Sequence, residues 1–349
     1  MDNPFSISFG RICKNVIERD QEIQPILQDF NTEPTRNTVY ILTGPRGCGK
    51  TVTLSHILDE YRKKNNWIVA RLSQSKNMLE QLAGTLYENS LNKLKSFKVE
   101  FSFSFQGLTL AIKGDKPVST IHTYLEKLLH YYKKKNIHVL VAIDDVVKDE
   151  GMVDFIRAYQ GFLMDHYDMR LLMTGLYKNI AKLELDRSLT FLIKAPKLLL
   201  PPLSLVSIAK QYKETFNIEE NIANSLAKLT KGYALAYQIL GDILFRNKEY
   251  KLSEKVLNEF DEKLNNWSYG LIYEEMSEKE KEIIKAIAEG YTTNQELMDK
   301  LKMSKGNLAI YKKKLTDEGL ISAKTRGQVE FSLPRFDKFV QLRKELYED

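Results

Sequence analysis

An α/β fold with a parallel sheet, built around a phosphate-binding loop, is predicted by three observations. The stretch Gly44-Pro45-Arg46-Gly47-Cys48-Gly49-Lys50-Thr51 fits G-x-x-x-x-G-K-[ST] and lies between a strand-like and a helix-like run. Apolar runs at 38–43, 67–72, 137–143 and 170–175 alternate with segments of helical spacing, as βα units do. The third run is continuously apolar and ends in two carboxylates, Asp144 and Asp145. Continuous apolarity suits a central strand covered on both faces, and ligands bind at the C-terminal ends of such strands.

The loop is the most specific of these signals. Glycines let backbone N–H groups turn toward an anion. The helix that opens at Thr51 and Val52 adds unpaired N–H donors and a partial positive charge. Gly44 to Thr51, with Val52, are therefore candidate nucleotide contacts. Lys50 is placed to reach the β- and γ-phosphates and Thr51 to ligate Mg²⁺. An ordinary glycine-rich βα turn is the alternative. Cys48 is expected to be a small loop residue, with a redox-sensitive thiol as the other option.

A chain of 349 residues is long enough for two or three domains, each with its own core. Hydrophobic residues at 43% and charged residues at 28% are those of a globular protein. A net charge of +6 is compatible with a nucleic-acid partner without requiring one. Cys13 and Cys48 lie far apart and imply no disulfide framework, so a reducing cytoplasm is the expected setting. No basic-then-apolar leader pattern and no apolar run of membrane-spanning length is seen, and no membrane partner is expected.

Residues 1–36 form an N-terminal arm and helix. Within the arm, Asn3-Pro4-Phe5 and Phe9-Gly10-Arg11 either close over an adenine ring or pack as a plain entry segment. The run 67–72 is a second strand, and a helix covers 76–94. Phe101, Phe103 and Phe105, then Leu108, Leu110 and Ile112, alternate with polar residues around Gln106-Gly107. That period and turn predict a β-hairpin near 98–113, inserted in the core.

After a helix over 121–134 comes the apolar strand with its two acids. Asp144 is placed for the Mg²⁺ shell, and Asp145 to orient or deprotonate an attacking water. Thr174, the polar end of the 170–175 strand, either holds that water or the γ-phosphate, or is a satisfied turn threonine. Residues 195–202 read as a short last strand and a proline boundary, closing a core domain over 37–202.

From 203 to 270 only helical spacing is evident, over 204–216, 219–229, 233–245 and 253–265. From 271 to 349 the pattern changes. Ser277-Glu278-Lys279-Glu280 and Thr293-Asn294-Gln295-Glu296 are capping boxes, and a third helix runs from Met303-Ser304 to Asp317. Two short strands flank Thr325-Arg326-Gly327-Gln328. Helix, helix, turn, helix, hairpin is the order of a winged helix-turn-helix. Between Lys300 and Arg326 stand eight basic and two acidic residues, while 274–349 holds fifteen of each. Positive charge is thus gathered where phosphate contacts would need it, and Lys302, Lys305, Lys312, Lys313 and Arg326 are the candidate DNA contacts. A protein-binding winged helix with a solvated lysine face is the alternative.

Together these features resemble the AAA+/STAND class of P-loop ATPases, and in particular the archaeal origin-recognition-like ATPases with a helical lid and a C-terminal winged helix. The resemblance implies the strand order 5-1-4-3-2, and ATP with Mg²⁺ as ligands. It matches Lys50 and Thr51 to the Walker A lysine and hydroxyl, Asp144 to the Walker B aspartate, Thr174 to a first sensor and Phe9-Gly10-Arg11 to an adenine-contacting segment. Residues 203–270 would be the lid. Two features depart from the pattern. Asp145 stands where many members have glutamate, and Lys231-Gly232-Tyr233-Ala234-Leu235-Ala236 lacks the lid arginine, with Ala234 where STAND lids often carry proline. Arg187 or Lys194 is a candidate source of that charge.

The expected function is an ATP-binding and hydrolysing switch that couples nucleotide state to double-stranded DNA binding or to assembly, as a homo-oligomer or with a protein partner. Its rivals are a DNA-binding regulator with a structural nucleotide and slow or no hydrolysis, and a signalling scaffold. No Asn-Lys-x-Asp guanine motif is present, which argues against a GTPase.

Overall fold

The computed structural model describes residues 3–5, 16–93, 120–323 and 327–347. The hairpin expected near 98–113, the segment Phe9-Gly10-Arg11 and Arg326 lie outside the described residues.

Five strands form one parallel sheet: β1 (Val39–Thr43), β2 (Trp67–Leu72), β3 (His138–Ile143), β4 (Met169–Gly175) and β5 (Lys197–Leu199). Their order is β2-β3-β4-β1-β5, the one the resemblance implied. Each strand hands over to a helix, as parallel connections require. Lys50–Arg62 follows β1, Met78–Lys93 follows β2, Glu150–Met164 follows β3 and Tyr177–Glu184 follows β4. Ile121–Lys134 leads into β3. Asp149 starts the helix after β3 by accepting the Met152 N–H at 2.8 Å.

The period of two explains the layers. Ile68 pairs with Val139 and Val139 with Met169; Ala70, Val141 and Leu171 form the next row; Leu72, Ile143 and Met173 the third. All of these, with Val39 and Ile41, belong to one core cluster with Leu82, Leu125, Phe155 and Ile180 from the helices. The intervening residues point the other way. There Trp67 meets Tyr61 at 4.3 Å and His138 at 4.7 Å between ring centroids, and Tyr40 meets Phe30 at 5.4 Å. A sheet buried on both faces accounts for the unbroken apolar run of β3.

Two compact units divide the chain. One comprises Met1–Asp20, Thr43–Lys50 and Leu199–Asp349, the other Gln21–Leu42 and Thr51–Leu198. In the first, helices Leu205–Phe216, Glu220–Thr230, Ala234–Asn247 and Glu254–Leu264 fall where the spacing predicts. Left-handed Asn217, Lys231 and Lys248 end the first three. Phe5 is buried among Tyr212, Phe216 and Tyr237, at centroid distances of 5.8, 5.5 and 5.6 Å. Gly241 makes room for it, since a Cβ there would lie 2.3 Å from the Phe5 ring. Next to it, the buried Asp242 carboxylate accepts from Asn3 (2.8 Å), Arg246 (3.0 Å) and Lys263 (2.9 Å), so its charge is fully engaged. Of the two options for the arm, Phe5 takes the packing one.

After Asn265–Tyr269, a π turn, and the short helix Gly270–Glu274 come Glu278–Ala288, Asn294–Leu301 and Lys305–Asp317. Both predicted capping boxes are formed, by Ser277 with Glu280 and by Thr293 with Glu296. The antiparallel strands β6 (Ile321–Ala323) and β7 (Val329–Phe331) follow, with a bridge from Thr293 to Gln328. The element order is therefore the expected one. A further helix, Phe336–Tyr347, carries Phe336 and Phe339 against Tyr269, with centroids 4.9 and 5.8 Å away.

Candidate functional site

The loop Gly44–Lys50 owes its shape to three glycines. Gly44, Gly47 and Gly49 have φ of +148°, +75° and +97°, a region that side chains with a Cβ rarely enter. The Lys50 ammonium folds back and donates to the carbonyls of Gly44 and Pro45, each at 2.9 Å. The Cys48 N–H closes a turn on Pro45 O at 3.3 Å. Burial pushes the Cys48 thiol up, which keeps it protonated and argues for the small-residue role over redox sensing. Val52, expected to contact nucleotide, is 42% exposed.

The tip of the loop is held by residues far along the chain. The Leu235 N–H donates to Gly47 O at 3.0 Å, and the Tyr233 hydroxyl bonds Arg46 O and lies 2.8 Å from Ser268 Oγ. A Cβ on Gly47 would come within 2.6 Å of the Tyr233 hydroxyl and 2.8 Å of Leu235 Cβ. Ala234 lies against Gly49, 3.6 Å from a Cβ built there. Arg46 pairs with Glu275 at 2.6 Å, and Pro45 packs 2.8 Å from a Cβ built on Gly319. A cavity of about 590 Å³ opens beside Pro45 and Cys48, lined also by Arg19, Tyr233, Phe331 and Leu333.

Arg19 is a residue that sequence reasoning missed. It is 6% exposed, donates to Cys48 O at 3.0 Å and also bonds Pro201 O. Its only sequence signal is an arginine directly before the acid-rich helix start Asp20-Gln21-Glu22.

The three residues expected at the carboxylate end do converge. The Thr174 hydroxyl donates to Asp144 Oδ1 at 2.6 Å and accepts the Asp145 N–H at 2.8 Å. Thr174 is fully buried, and the Val146 N–H donates to its carbonyl at 2.8 Å. Asp145 sits in the left-handed region with φ of +51°, which aspartate tolerates, and its carboxylate is exposed. The other Asp144 oxygen is 3.1 Å from Arg71 Nη2, while Arg71 Nη1 reaches Ser55 Oγ at 3.5 Å. Arg71 was also missed; on a strand its partner lies 73 residues away and leaves no local pattern. Ser55 stands one helical turn beyond Thr51, so both share the helix face that Arg71 ties to Asp144. Arg187 and Lys194, the suggested substitutes for a lid arginine, are both exposed.

The candidate DNA contacts separate into two groups. Lys302 and Lys305 are exposed at the turn into helix Lys305–Asp317. Lys312 instead donates to Asn294 Oδ1 at 2.5 Å, tying this helix to Asn294–Leu301. Lys313 pairs with Asp317 at 2.7 Å and Lys314 with Glu280 at 2.5 Å.

Residues 16–184 match the family described as an ATPase domain predominantly from Archaea, and residues 268–340 match a domain of unknown function (DUF8462). An uncharacterized ATP-binding protein of Methanocaldococcus jannaschii is 23% identical over 155 residues, 38% of this chain. The match spans 42% of the length of that curated relative. The Walker-type ATPase of Pyrococcus abyssi superposes with a TM-score of 0.63 at 16% identity, covering 93% of this chain and 96% of its own. The Aeropyrum pernix ORC2 protein, solved as ADPNP-ADP complexes, superposes with a TM-score of 0.50 at 14% identity, covering 92% and 90%. At such identities the likeness is one of fold. Among the described residues no helix is long and apolar enough to cross a membrane.

Proposed function

We propose, from the premise that residues 16–184 are an ATPase-family domain, that the chain is an ATP-binding and hydrolysing switch whose C-terminal segment delivers the output. The loop carries this reading: three glycines in the left-handed half of backbone space give it the shape of an anion cradle, and Lys50 ends the loop at a helix start. The ammonium of Lys50 now rests on two loop carbonyls, contacts that γ-phosphate oxygens would replace with charge-assisted ones. In a parallel sheet the loops after β1 and β3 leave from the same edge, which supports one site for Thr51, Asp144 and Asp145.

Thr51 and Asp144 offer hard oxygen atoms, a donor set that fits Mg²⁺, and an ion on Asp144 Oδ2 would replace the Arg71 guanidinium that now lies 3.1 Å from it. The ion, when bound, would neutralise phosphate charge. Asp145 accepts a proton from, or orients, the water that attacks the γ-phosphorus, and the bond to the β-phosphate oxygen breaks to leave ADP. Thr174 holds Asp144 and the Asp145 backbone in register for this step. Replacement of Lys50 by alanine is expected to abolish binding of a fluorescent ATP analogue; unchanged affinity would sink the assignment. Asp145→Asn should retain binding and lose turnover.

Helices Leu205–Leu264 act as the lid in this reading, because Tyr233 and Leu235 hold the loop tip directly. The segment 271–347 acts as a winged helix that binds double-stranded DNA, supported by its element order and the exposed Lys302 and Lys305. One observation favours a protein-binding alternative: Lys312, Lys313 and Lys314 are all engaged inside the chain. Duplex binding measured across salt concentration separates the two, since phosphate contacts give a steep negative slope. A salt-independent result, or none, would leave the scaffold reading.

A further inference from the structure

Three successive carbonyls of the loop Gly44–Lys50 are each taken by a donor from outside it. The Tyr233 hydroxyl donates to Arg46 O, the Leu235 N–H to Gly47 O at 3.0 Å, and the Arg19 guanidinium to Cys48 O at 3.0 Å. All three peptides are trans. A trans peptide is planar, and its C=O and N–H point in opposite directions. Fixing the carbonyls of Arg46, Gly47 and Cys48 therefore fixes the N–H groups of Gly47, Cys48 and Gly49, which share those peptides, and turns them away from the donors. The donors are anchored in turn. A second arm of the Arg19 guanidinium bonds Pro201 O, and the Leu203 N–H donates to Gly232 O at 2.8 Å. Gly232 has φ of +75°, and a Cβ on it would lie 2.5 Å from Leu203 O. Having given its proton to Arg46 O, the Tyr233 hydroxyl accepts from Ser268 at 2.8 Å. Arg19 and Tyr233 are both buried, where such bonds are stronger than in water.

Resting on the ATP-binding reading above, we propose that Arg19 and Tyr233 are positioning residues for the phosphates, acting through the loop backbone rather than on the nucleotide. Tyr233 holds the Arg46–Gly47 peptide, and Arg19 the Cys48–Gly49 peptide, so that the N–H groups of Gly47 and Gly49 face the anion. The Leu235 N–H does the same for Cys48 from the main chain. The Cys48 N–H now reaches Pro45 O at 3.3 Å, a long bond that a phosphate oxygen would replace with a charge-assisted one. Donors set in place beforehand need no reorientation when the charge arrives.

The test uses the full chain and two probes, a fluorescent ATP analogue and inorganic pyrophosphate, which has neither base nor sugar. Arg19→Met keeps the buried stem and removes the donors, while Tyr233→Phe removes one hydroxyl and no charge. Each should weaken both probes by about tenfold, the loss of one charge-assisted hydrogen bond. Cys48-Gly49 is the one Cys-Gly pair in the sequence, so carbonyl-¹³C cysteine with ¹⁵N glycine selects a single amide signal, that of Gly49. At saturating pyrophosphate this signal should shift in the wild type and in Tyr233→Phe, and much less in Arg19→Met. A purely structural role for Arg19 would leave the shift as in the wild type once the site is filled. A full Gly49 shift in Arg19→Met, wild-type pyrophosphate affinity in Tyr233→Phe, or weakening of the ATP analogue alone would each overturn the proposal. If Arg19→Met does not fold, the Tyr233→Phe affinities decide. If the wild type binds neither probe, the ATP-binding reading itself fails and the proposal falls with it.

Discussion

The Thr174 hydroxyl is sealed from solvent and makes two hydrogen bonds, one donated to Asp144 and one accepted from the Asp145 backbone. A valine has the same shape and can make neither. It would leave a buried acceptor and a backbone donor unpaired, at a cost of about 1–3 kcal/mol. Thr174→Val is therefore expected to keep ATP-analogue affinity near wild type while turnover falls about a hundredfold. Thr174→Ser, which restores the hydroxyl, should recover most of that rate in a phosphate-release assay. Recovery by valine rather than serine would assign Thr174 to packing alone. Gly47 offers a second test at this scale. Its backbone conformation and the 2.6 Å approach of Tyr233 leave no space for a methyl. Gly47→Ala should lower the thermal midpoint of its unit and weaken nucleotide binding together, whereas Gly84→Ala, at an open helical position, should do neither.

At the level of elements, helix Glu278–Ala288 depends on one carboxylate. Burial raises the Glu280 pKa, but the Lys314 ammonium and the Ser277 hydroxyl and N–H more than offset this and hold it below its ordinary 4.5. A depressed folded value means the stabilisation is complete above pH 4.5 and is lost as pH falls through the folded pKa. Thermal midpoints should thus drop on acidification below that point, and Glu280→Gln should flatten the drop. Lys314→Met should cost about 1–3 kcal/mol, less than a fully buried pair because Lys314 keeps part of its hydration. This arrangement was half legible in the sequence. Ser277 and Glu280 stand three apart and announce a capping box, so their helix start could be placed from local pattern alone. The partner Lys314 lies in a lysine run that reads as a solvated face, and only tertiary packing turns it inward. The same division runs through the candidate site. Gly44, Lys50 and Asp144 are legible because glycine placement and an unbroken apolar strand are local signals. Arg19 and Arg71 are not, since each finds its partner through the fold and an isolated arginine has no period.

For the molecule as a whole, ligand linkage gives a direct measurement. An ATP analogue at a hundred times its Kd should stabilise the chain by about 2.7 kcal/mol, visible as a rise of several degrees in the thermal midpoint. Lys50→Ala should show no such rise. The Arg46–Glu275 pair is about one-third exposed on each side, so its loss should change stability by less than about 1 kcal/mol. Glu275→Gln is nevertheless expected to speed analogue binding in stopped flow, because it frees the tip of the loop that the nucleotide must enter. An unchanged on-rate would show that Tyr233 and Leu235 alone govern entry.

The burial of Phe5 beside Gly241 also has a consequence for biosynthesis. Asn3 and its partner Asp242 are 239 residues apart. At roughly 5–20 residues per second, a ribosome needs roughly 12–50 s to deliver one after the other. Phe5 likewise has no native aromatic partner until Tyr212 and Phe216 emerge, by which time the strands and helices of Gln21–Leu42 and Thr51–Leu198 have emerged in order. Asn3 and Phe5, made before the sheet, thus find their places after it. A bulky fusion ahead of Asn3 should slow the final step of folding without altering the sheet, and truncation before residue 212 should leave the Phe5 side chain exposed to chaperones.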